Sequence, residues 1–291
     1  MSTYVVTGGS CGIGYFVAEK LAAAGHRVVI AARSQERADA AAASIRRHVP
    51  EANLDFVALD TASLDSVAAA AEQLGAVDGL ALNAGLTSPT KGRELTVDGL
   101  ERVMATNYIG HFALTARLFP KLTTTARVVA MGSMSTRLVR ADVENLQQLA
   151  GSYSSSKAYA YSKHAMQAFG FELDRRLRAS GSGIRALVAH PGFALDVQAA
   201  SRPGINDQVS AKNRLGQQLL RPMTQGKDAG AAAMVRALTD PEAQGGEYYG
   251  PPNGLKGTPR VITAVPQDRD LSFSAKLWEQ SEQWARLEFD V

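Results

Sequence analysis

Apolar runs alternate with segments in which alanines and other helix formers place apolar residues at helical spacing, and this alternation carries along most of the chain. Thr3–Thr7 and Arg27–Ala32 are apolar almost throughout, as are residues 54–59, 78–82, 127–131 and 184–189. A strand with one wet face alternates apolar and polar positions, whereas a strand covered on both faces does not. These six runs are therefore predicted to be strands of a parallel sheet covered on both sides. The intervening pattern predicts a helix from a glycine-rich turn to about Ala24, and further helices at 35–49, 64–74, 97–118 and 159–179. A short strand at 247–249 follows a helix at 229–238 and precedes one at 273–287. The class predicted is α/β: one doubly wound domain over residues 1–291, with a parallel sheet of about seven strands and helices on both faces. Residues 194–227, with Pro203, Gly204, Gly216 and Pro222 among polar residues, read as an excursion over one sheet edge. Residues from about 250 to 291 read as a C-terminal extension.

Composition narrows the function classes. The chain is 45% hydrophobic and 20% charged, as expected of a globular protein with a sizeable core. A formal net charge of +3 without any basic run gives no support for nucleic-acid or membrane-surface binding. No apolar run reaches the roughly 18 residues of a membrane span, and the first strand begins at Thr3, so no membrane anchor is expected. Cys11 is the only cysteine. Intrachain disulfides and cysteine-rich metal centres are excluded, and a reducing, cytoplasmic compartment is expected. His111 and His164 have no second ligand at metal-binding spacing, so they are expected to be packing or surface residues and no metal site is assigned.

The first candidate chemistry lies in Thr7-Gly8-Gly9-Ser10-Cys11-Gly12-Ile13-Gly14, between the first strand and the first helix. Glycines let a backbone approach a pyrophosphate, and a helix N-terminus favours its negative charge. Gly8, Ser10, Cys11, Gly12, Ile13 and Gly14 are thus candidate nucleotide contacts. The second strand ends at Ala32 where an NAD site has an acid, and Arg33 and Ser34 follow. A guanidinium pairs with a 2′-phosphate, so NADP(H) is the expected cofactor. Asp60 and Thr61, after the third strand, and Asn83-Ala84-Gly85, after the fourth, would line the adenosine side.

The second lies in residues 153–163, which hold two overlapping Tyr-x-x-x-Lys patterns, Tyr153/Lys157 and Tyr159/Lys163. Residues four apart share a helix face. An ammonium beside a phenol favours the phenolate, lowering a tyrosine pKa from about 10 toward the range of a usable acid or base. Spacing alone leaves both pairs open.

Together with Gly132-Ser133, these motifs in this order resemble the short-chain dehydrogenase/reductase family, a Rossmann-fold family, and more narrowly its retinol-dehydrogenase-like and protochlorophyllide-reductase-like branch. Asn107-Tyr108-Ile109-Gly110-His111-Phe112, His190-Pro191-Gly192, Gly245-Gly246-Glu247-Tyr248-Tyr249-Gly250-Pro251 and Leu277-Trp278-Glu279-Gln280-Ser281 carry the narrower match. The resemblance covers nearly the whole chain, least well at 194–225. The branch's register toward Glu172-Leu173 selects Tyr159 and Lys163, and its insertion before the tyrosine corresponds to residues 137–152. Tyr153 then falls at the mouth of the site and Lys157 in solvent. The resemblance implies that Tyr159 exchanges a proton with a carbonyl or alcohol oxygen. It implies further that Lys163 lowers the Tyr159 pKa and holds the nicotinamide ribose, that Ser133 bonds the substrate oxygen, and that Asn107 supports Lys163 through water. Pro191, Gly192 and Phe193 would border the nicotinamide. Asp196 stands where the family often has a threonine that bonds the carboxamide.

The leading expectation is an NADP(H)-dependent oxidoreductase interconverting a ketone or aldehyde and an alcohol. Met134, Tyr153 and Phe193 are the candidate substrate contacts. Apolar residues at 134–152 and 193–225, including Leu138, Val139, Leu146, Leu195, Leu219, Leu220 and Met223, suggest a medium-sized apolar small molecule. A non-catalytic NADP-binding sensor or scaffold is the alternative, supported by Asp196 and opposed by the intact Asn107, Ser133, Tyr159 and Lys163. A double-bond reductase like protochlorophyllide reductase is disfavoured, because that activity relies on a cysteine near the site. Family members associate through helices that correspond here to 97–118 and 159–179, so a homodimer is considered, with the 137–152 insertion opposing it.

Overall fold

The structure is a computed structural model that describes residues 1–87, 92–206 and 220–291. Its strands are β1 (Thr3–Thr7), β2 (Arg27–Ala32), β3 (Leu54–Ala58), β4 (Val77–Leu82), β5 (Leu122–Met131), β6 (Arg185–Ala189), β7 (Ala194–Leu195), β8 (Gln225–Gly226), β9 (Tyr248–Gly250) and β10 (Arg260–Val261). Eight of them form one sheet in the order β10-β9-β6-β5-β4-β1-β2-β3. All pairings are parallel except β10 on β9. The antiparallel β10 is the strand that apolar patterning missed, since both its residues are exposed.

Successive residues of each strand enter opposite halves of the core. Val5, Leu80 and Val128 face one side, and Val6, Ala81 and Val129 face the other. The first side is covered by α3 (Leu64–Gln73), α4, α5 (Ser155–Ala179) and α7 (Leu271–Ala285); α4 runs Arg102–Met104, passes through a π-helical turn at Ala105–Ile109 and continues as Gly110–Leu118. The second is covered by α1 (Gly12–Ala23), α2 (Gln35–His48) and α6 (Lys227–Thr239). The direction of winding reverses at β1, which pairs with both β2 and β4. In open α/β sheets this switch point opens a crevice at the carboxyl ends of the strands, where ligands bind. Among the described residues, no helix is long and apolar enough to cross a membrane.

Two helix boundaries differ from the pattern in ways that matter for the site. The helix predicted from 97 begins at Arg102. Gly99 has φ +78°, and Leu95 bridges Glu101 in an antiparallel turn, so the chain reverses just before the helix. The buried Glu101 side chain then accepts from the Val103 and Met104 amides at 3.0 and 2.7 Å. α5 begins at Ser155, four residues earlier than expected, behind the N-cap Ser154. Tyr153 therefore precedes the helix, and Tyr153/Lys157 is not a pair on a helix face. The C-terminal extension packs back on the core: the Trp278 ring lies 5.1 Å from Phe289 and 5.2 Å from Phe112.

Candidate active site

A cleft of about 1300 Å3 opens over the carboxyl ends of the strands. Its floor is the glycine-rich turn. Gly8 and Gly12 have φ of +67° and +58°, which favours glycine at both positions. A Cβ on Gly14 would lie 2.3 Å from Gly8 O and 2.5 Å from Asn83 Nδ2. Gly14 does not line the cleft; it lets α1 close on the turn. The Thr7 hydroxyl accepts from the Asn83 and Ala84 amides at 2.8 and 2.9 Å, and Asn83 Nδ2 donates to Thr7 O at 2.9 Å. The two loops at the switch point are thereby stapled together. α1 starts without a side-chain cap and with no acidic residue in its first turn. The positive end of the helix is left open to an anion. The donor set and this cradle fit a dinucleotide pyrophosphate.

Gly8, Ser10, Cys11, Gly12, Ile13, Arg33, Ser34, Asp60, Thr61, Asn83, Ala84 and Gly85 all line the cleft, as the sequence predicts. At the opposite end Ser133, Met134, Tyr159, Lys163, Pro191, Gly192 and Phe193 line it too. Gly192, at φ +67°, admits no side chain, because a Cβ would sit 2.2 Å from Leu255 O. Tyr159 and Lys163 lie on successive turns of α5, with the Lys163 ammonium 5.8 Å from the phenol ring centroid. Ser133 ends the loop after β5 and hydrogen-bonds the Tyr159 side chain.

The glycine turn, the Tyr/Lys helix and the serine thus meet in one crevice at a sheet switch point. Residues 2–203 match the family model described as short chain dehydrogenase. The chain belongs to the short-chain dehydrogenase family. Retinol dehydrogenase 13 of Homo sapiens is 31% identical over 98% of this chain and 85% of its own length. Polyprenol dehydrogenase of Mus musculus is 34% identical over 83% of this chain and 72% of its own. Among solved structures, an uncharacterised protein from Mycobacterium paratuberculosis superposes with a TM-score of 0.82 at 33% identity, covering 100% of this chain and 96% of that one. A short chain dehydrogenase from Burkholderia cenocepacia J2315, crystallised in complex with NADP, shares the fold at a TM-score of 0.64 and 23% identity, over 88% of this chain and 97% of that one. This dehydrogenase is an oxidoreductase of the retinol-dehydrogenase-like branch, with a nucleotide-binding Rossmann fold.

Several side chains of this family member stand elsewhere than expected. Tyr153 does not line the cleft; its hydroxyl donates to Glu101 Oε1 at 3.0 Å. A buried carboxylate needs donors, and the phenol supplies one. Asn107 is fully buried behind the cleft wall. Its Oδ1 accepts from the Leu86 amide at 2.7 Å, and its Nδ2 donates to Leu86 O at 3.2 Å and to Ser162 Oγ at 3.0 Å. It braces the loop after β4 against α5. Of the expected apolar wall, Met134, Leu138, Phe193 and Leu195 line the cleft. Leu146 is buried in the core and Val139 packs against it, because the 137–152 insertion folds back over α4 and α5. Leu220 and Met223 are exposed and lie off the cleft. Leu219 lies outside the described residues.

The electrostatics also depart from expectation. Burial pushes the Tyr159 phenol up, with only the Ser133 hydrogen bond pulling it down. The buried Lys163 ammonium is lowered to about 8 by desolvation, and it donates to Met131 O at 2.9 Å. The end of β5 is its acceptor in this structure.

Pattern reading overlooked four groups. Arg37, a turn beyond Arg33, lines the same end of the cleft, with Glu36 beside it. Gln167 Oε1 accepts from the Ser133 amide at 3.2 Å and from Tyr248 OH at 2.6 Å, while its Nε2 donates to Asp268. Asp268 also bonds His164 Nδ1 at 2.5 Å, so a buried polar chain from the C-terminal extension backs the serine. No spacing rule links positions 101 residues apart in sequence. Lys227 enters the cleft from α6.

His111 is a clamp. Its Nδ1 lies 3.1 Å from Asn107 O, which can only accept, so Nδ1 carries the proton and Nε2 accepts from the Thr7 hydroxyl at 2.9 Å. Burial lowers His111 and His190 to about 4 each. Between pH 4 and the ordinary histidine value of about 6.5, the unfolded chain binds protons that the folded chain does not. Stability contributed by both groups is therefore present above that window and lost as pH falls through it. Melting temperatures measured at pH 7 and pH 5 are expected to drop by several degrees on acidification; a flat or rising profile would contradict neutral burial of these rings.

Proposed function

We propose that this protein is an NADP(H)-dependent oxidoreductase interconverting a ketone or aldehyde with an alcohol, with Tyr159 as the proton donor and acceptor. The observation that carries the reading is the convergence of Tyr159, Lys163 and Ser133 on the crevice whose other end holds the glycine turn and Arg33. When bound, the nicotinamide supplies or takes the hydride. The protein's own contribution is placement and proton transfer. Ser133, with its amide on Gln167, holds the reacting oxygen beside the Tyr159 hydroxyl. Because burial keeps the phenol protonated at neutral pH, Tyr159 is set to give a proton to a carbonyl oxygen in the reductive direction. Lys163, still largely charged at pH 7, is the cation beside that transfer. Met134, Leu138, Phe193 and Leu195 offer an apolar wall suited to a medium-sized apolar substrate. The retinol and polyprenol dehydrogenases among its relatives are named for such alcohols.

NADP preference is supported by Arg33 and Arg37 outnumbering Glu36 where β2 ends. A charge-assisted phosphate contact is worth about 1.5–3 kcal/mol, or roughly tenfold to a hundredfold in affinity. Wild-type protein is expected to bind NADPH that much more tightly than NADH. Arg33→Ala should erase most of this difference by weakening NADPH alone, read by titrating the fluorescence of each reduced dinucleotide. Equal affinity for both in the wild type would refute the preference.

A further inference from the structure

Asp196 and Lys227 form an ion pair of 2.6 Å inside the cleft, across the neck of the excursion. The neck is built by β7 and β8, which pair Ala194 with Gln225 and Leu195 with Gly226. It is tightly packed. A Cβ on Gly226 would lie 2.5 Å from Gln198 O, and one on Gly230 would lie 3.1 Å from Pro191 O. The backbone under both charged residues is thus held, while each side chain keeps about a quarter of its surface exposed, 27% for Asp196 and 26% for Lys227. Lys227 projects toward the glycine turn: a Cβ built on Gly12 would lie 3.7 Å from its ammonium.

That position is unfavourable for a cation on its own. Gly12 opens α1, and the N-terminal end of a helix carries positive potential. Without a ligand, Asp196 is the group that compensates the ammonium. Of the four cations that line the cleft among the described residues, Arg33 and Arg37 stand at the end of β2, and Lys163 is bonded to Met131 O. Among these four, Lys227 alone faces the turn that fits a pyrophosphate. An anion seated there would meet the open helix end and the ammonium together, and would relieve their mutual repulsion.

We infer that Lys227 is a cofactor-binding residue that contacts the pyrophosphate from the side opposite the glycine turn, and that Asp196 is its alternative partner. The inference rests on the dinucleotide site proposed above. Binding transfers the ammonium from Asp196 to the phosphate, so Asp196 competes with the cofactor for Lys227. The unusual acid in place of the family's threonine and the lysine at the start of α6 thereby belong to one device.

The test is binding, measured by fluorescence titration of NADPH and of NADH on the full chain. NADPH and NADH share the pyrophosphate, so Lys227→Gln is expected to weaken both by about tenfold, unlike Arg33→Ala. Lys227→Arg, which keeps the charge, should stay within about threefold of wild type. Asp196→Asn removes the competitor and should leave both affinities unchanged or tighten them by up to about fivefold. Weaker binding in Lys227→Gln without any weakening in Asp196→Asn supports the assignment. If both variants weaken binding alike, the pair only braces the neck and the inference is overturned. It is likewise overturned if Lys227→Gln binds as wild type does. Failure of the wild-type protein to bind either dinucleotide would instead refute the proposed function beneath it.

Discussion

Replacing Tyr159 with phenylalanine is expected to lower carbonyl reduction by about a thousandfold, in the middle of the range for loss of a positioned general acid. The substitution removes one oxygen and little volume, so folding and NADPH binding should survive, and the loss should appear in kcat. Burial of the phenol sets the pH dependence in wild type. The acid form is the active one for reduction, and burial extends its range upward. Lys163, lowered to about 8, loses its charge on the alkaline side. Reduction should therefore be flat near neutrality and fall as pH rises above about 8. Alcohol oxidation needs the phenolate and should rise over the same range. Steady-state rates for both directions between pH 6 and 10 check this; parallel profiles would contradict Tyr159 as the shared acid and base.

Gly14→Ala is expected to damage both the fold and the cofactor cradle. Its Cβ would sit 2.3 Å from Gly8 O and 2.5 Å from Asn83 Nδ2, so either the turn or the Asn83 loop must move. Asn83 is tied to Thr7 through its amide and its side chain, and cannot shift without breaking those bonds. Overpacking of this kind costs about 1–3 kcal/mol. Here the strain falls on the two loops that cradle the dinucleotide. NADPH affinity should drop by about tenfold to a hundredfold, with a lower melting temperature. Gly25→Ala, which meets nothing within 4 Å but has φ +81°, should lower stability without touching cofactor affinity. Equal cofactor loss in both variants would argue against a local effect at the turn.

Pattern carried the reading far where a single physical cause acts on neighbouring residues. Burial on both faces makes β1, β2 and β4 apolar almost throughout, and the requirement for close backbone approach leaves glycines at 8, 12 and 14. Spacing alone leaves Tyr153 and Tyr159 equivalent, and only the resemblance to the family branch separates them; the structure places Ser154 as the helix cap, leaving Tyr153 outside α5 to serve Glu101. What pattern could not carry was set by contacts distant in sequence. Gly99 and the Leu95–Glu101 bridge delay α4, although residues 97–101 continue its spacing. The Gln167, Asp268 and His164 chain and the Asp196–Lys227 pair join elements that meet only in the folded chain. The direction of the Tyr159 shift was misjudged for the same reason. Sequence displays the neighbouring lysine, but neither the burial of the phenol nor the Met131 carbonyl that accepts the lysine's hydrogen bond.

The most direct measurement is NADPH oxidation across a panel of ketones and aldehydes by wild type, Tyr159→Phe and Tyr153→Phe in parallel. Turnover by wild type and Tyr153→Phe, with loss in Tyr159→Phe, is the predicted result. Turnover that survives in Tyr159→Phe, or tight NADPH binding with no carbonyl reduced by the wild type, would contradict the account.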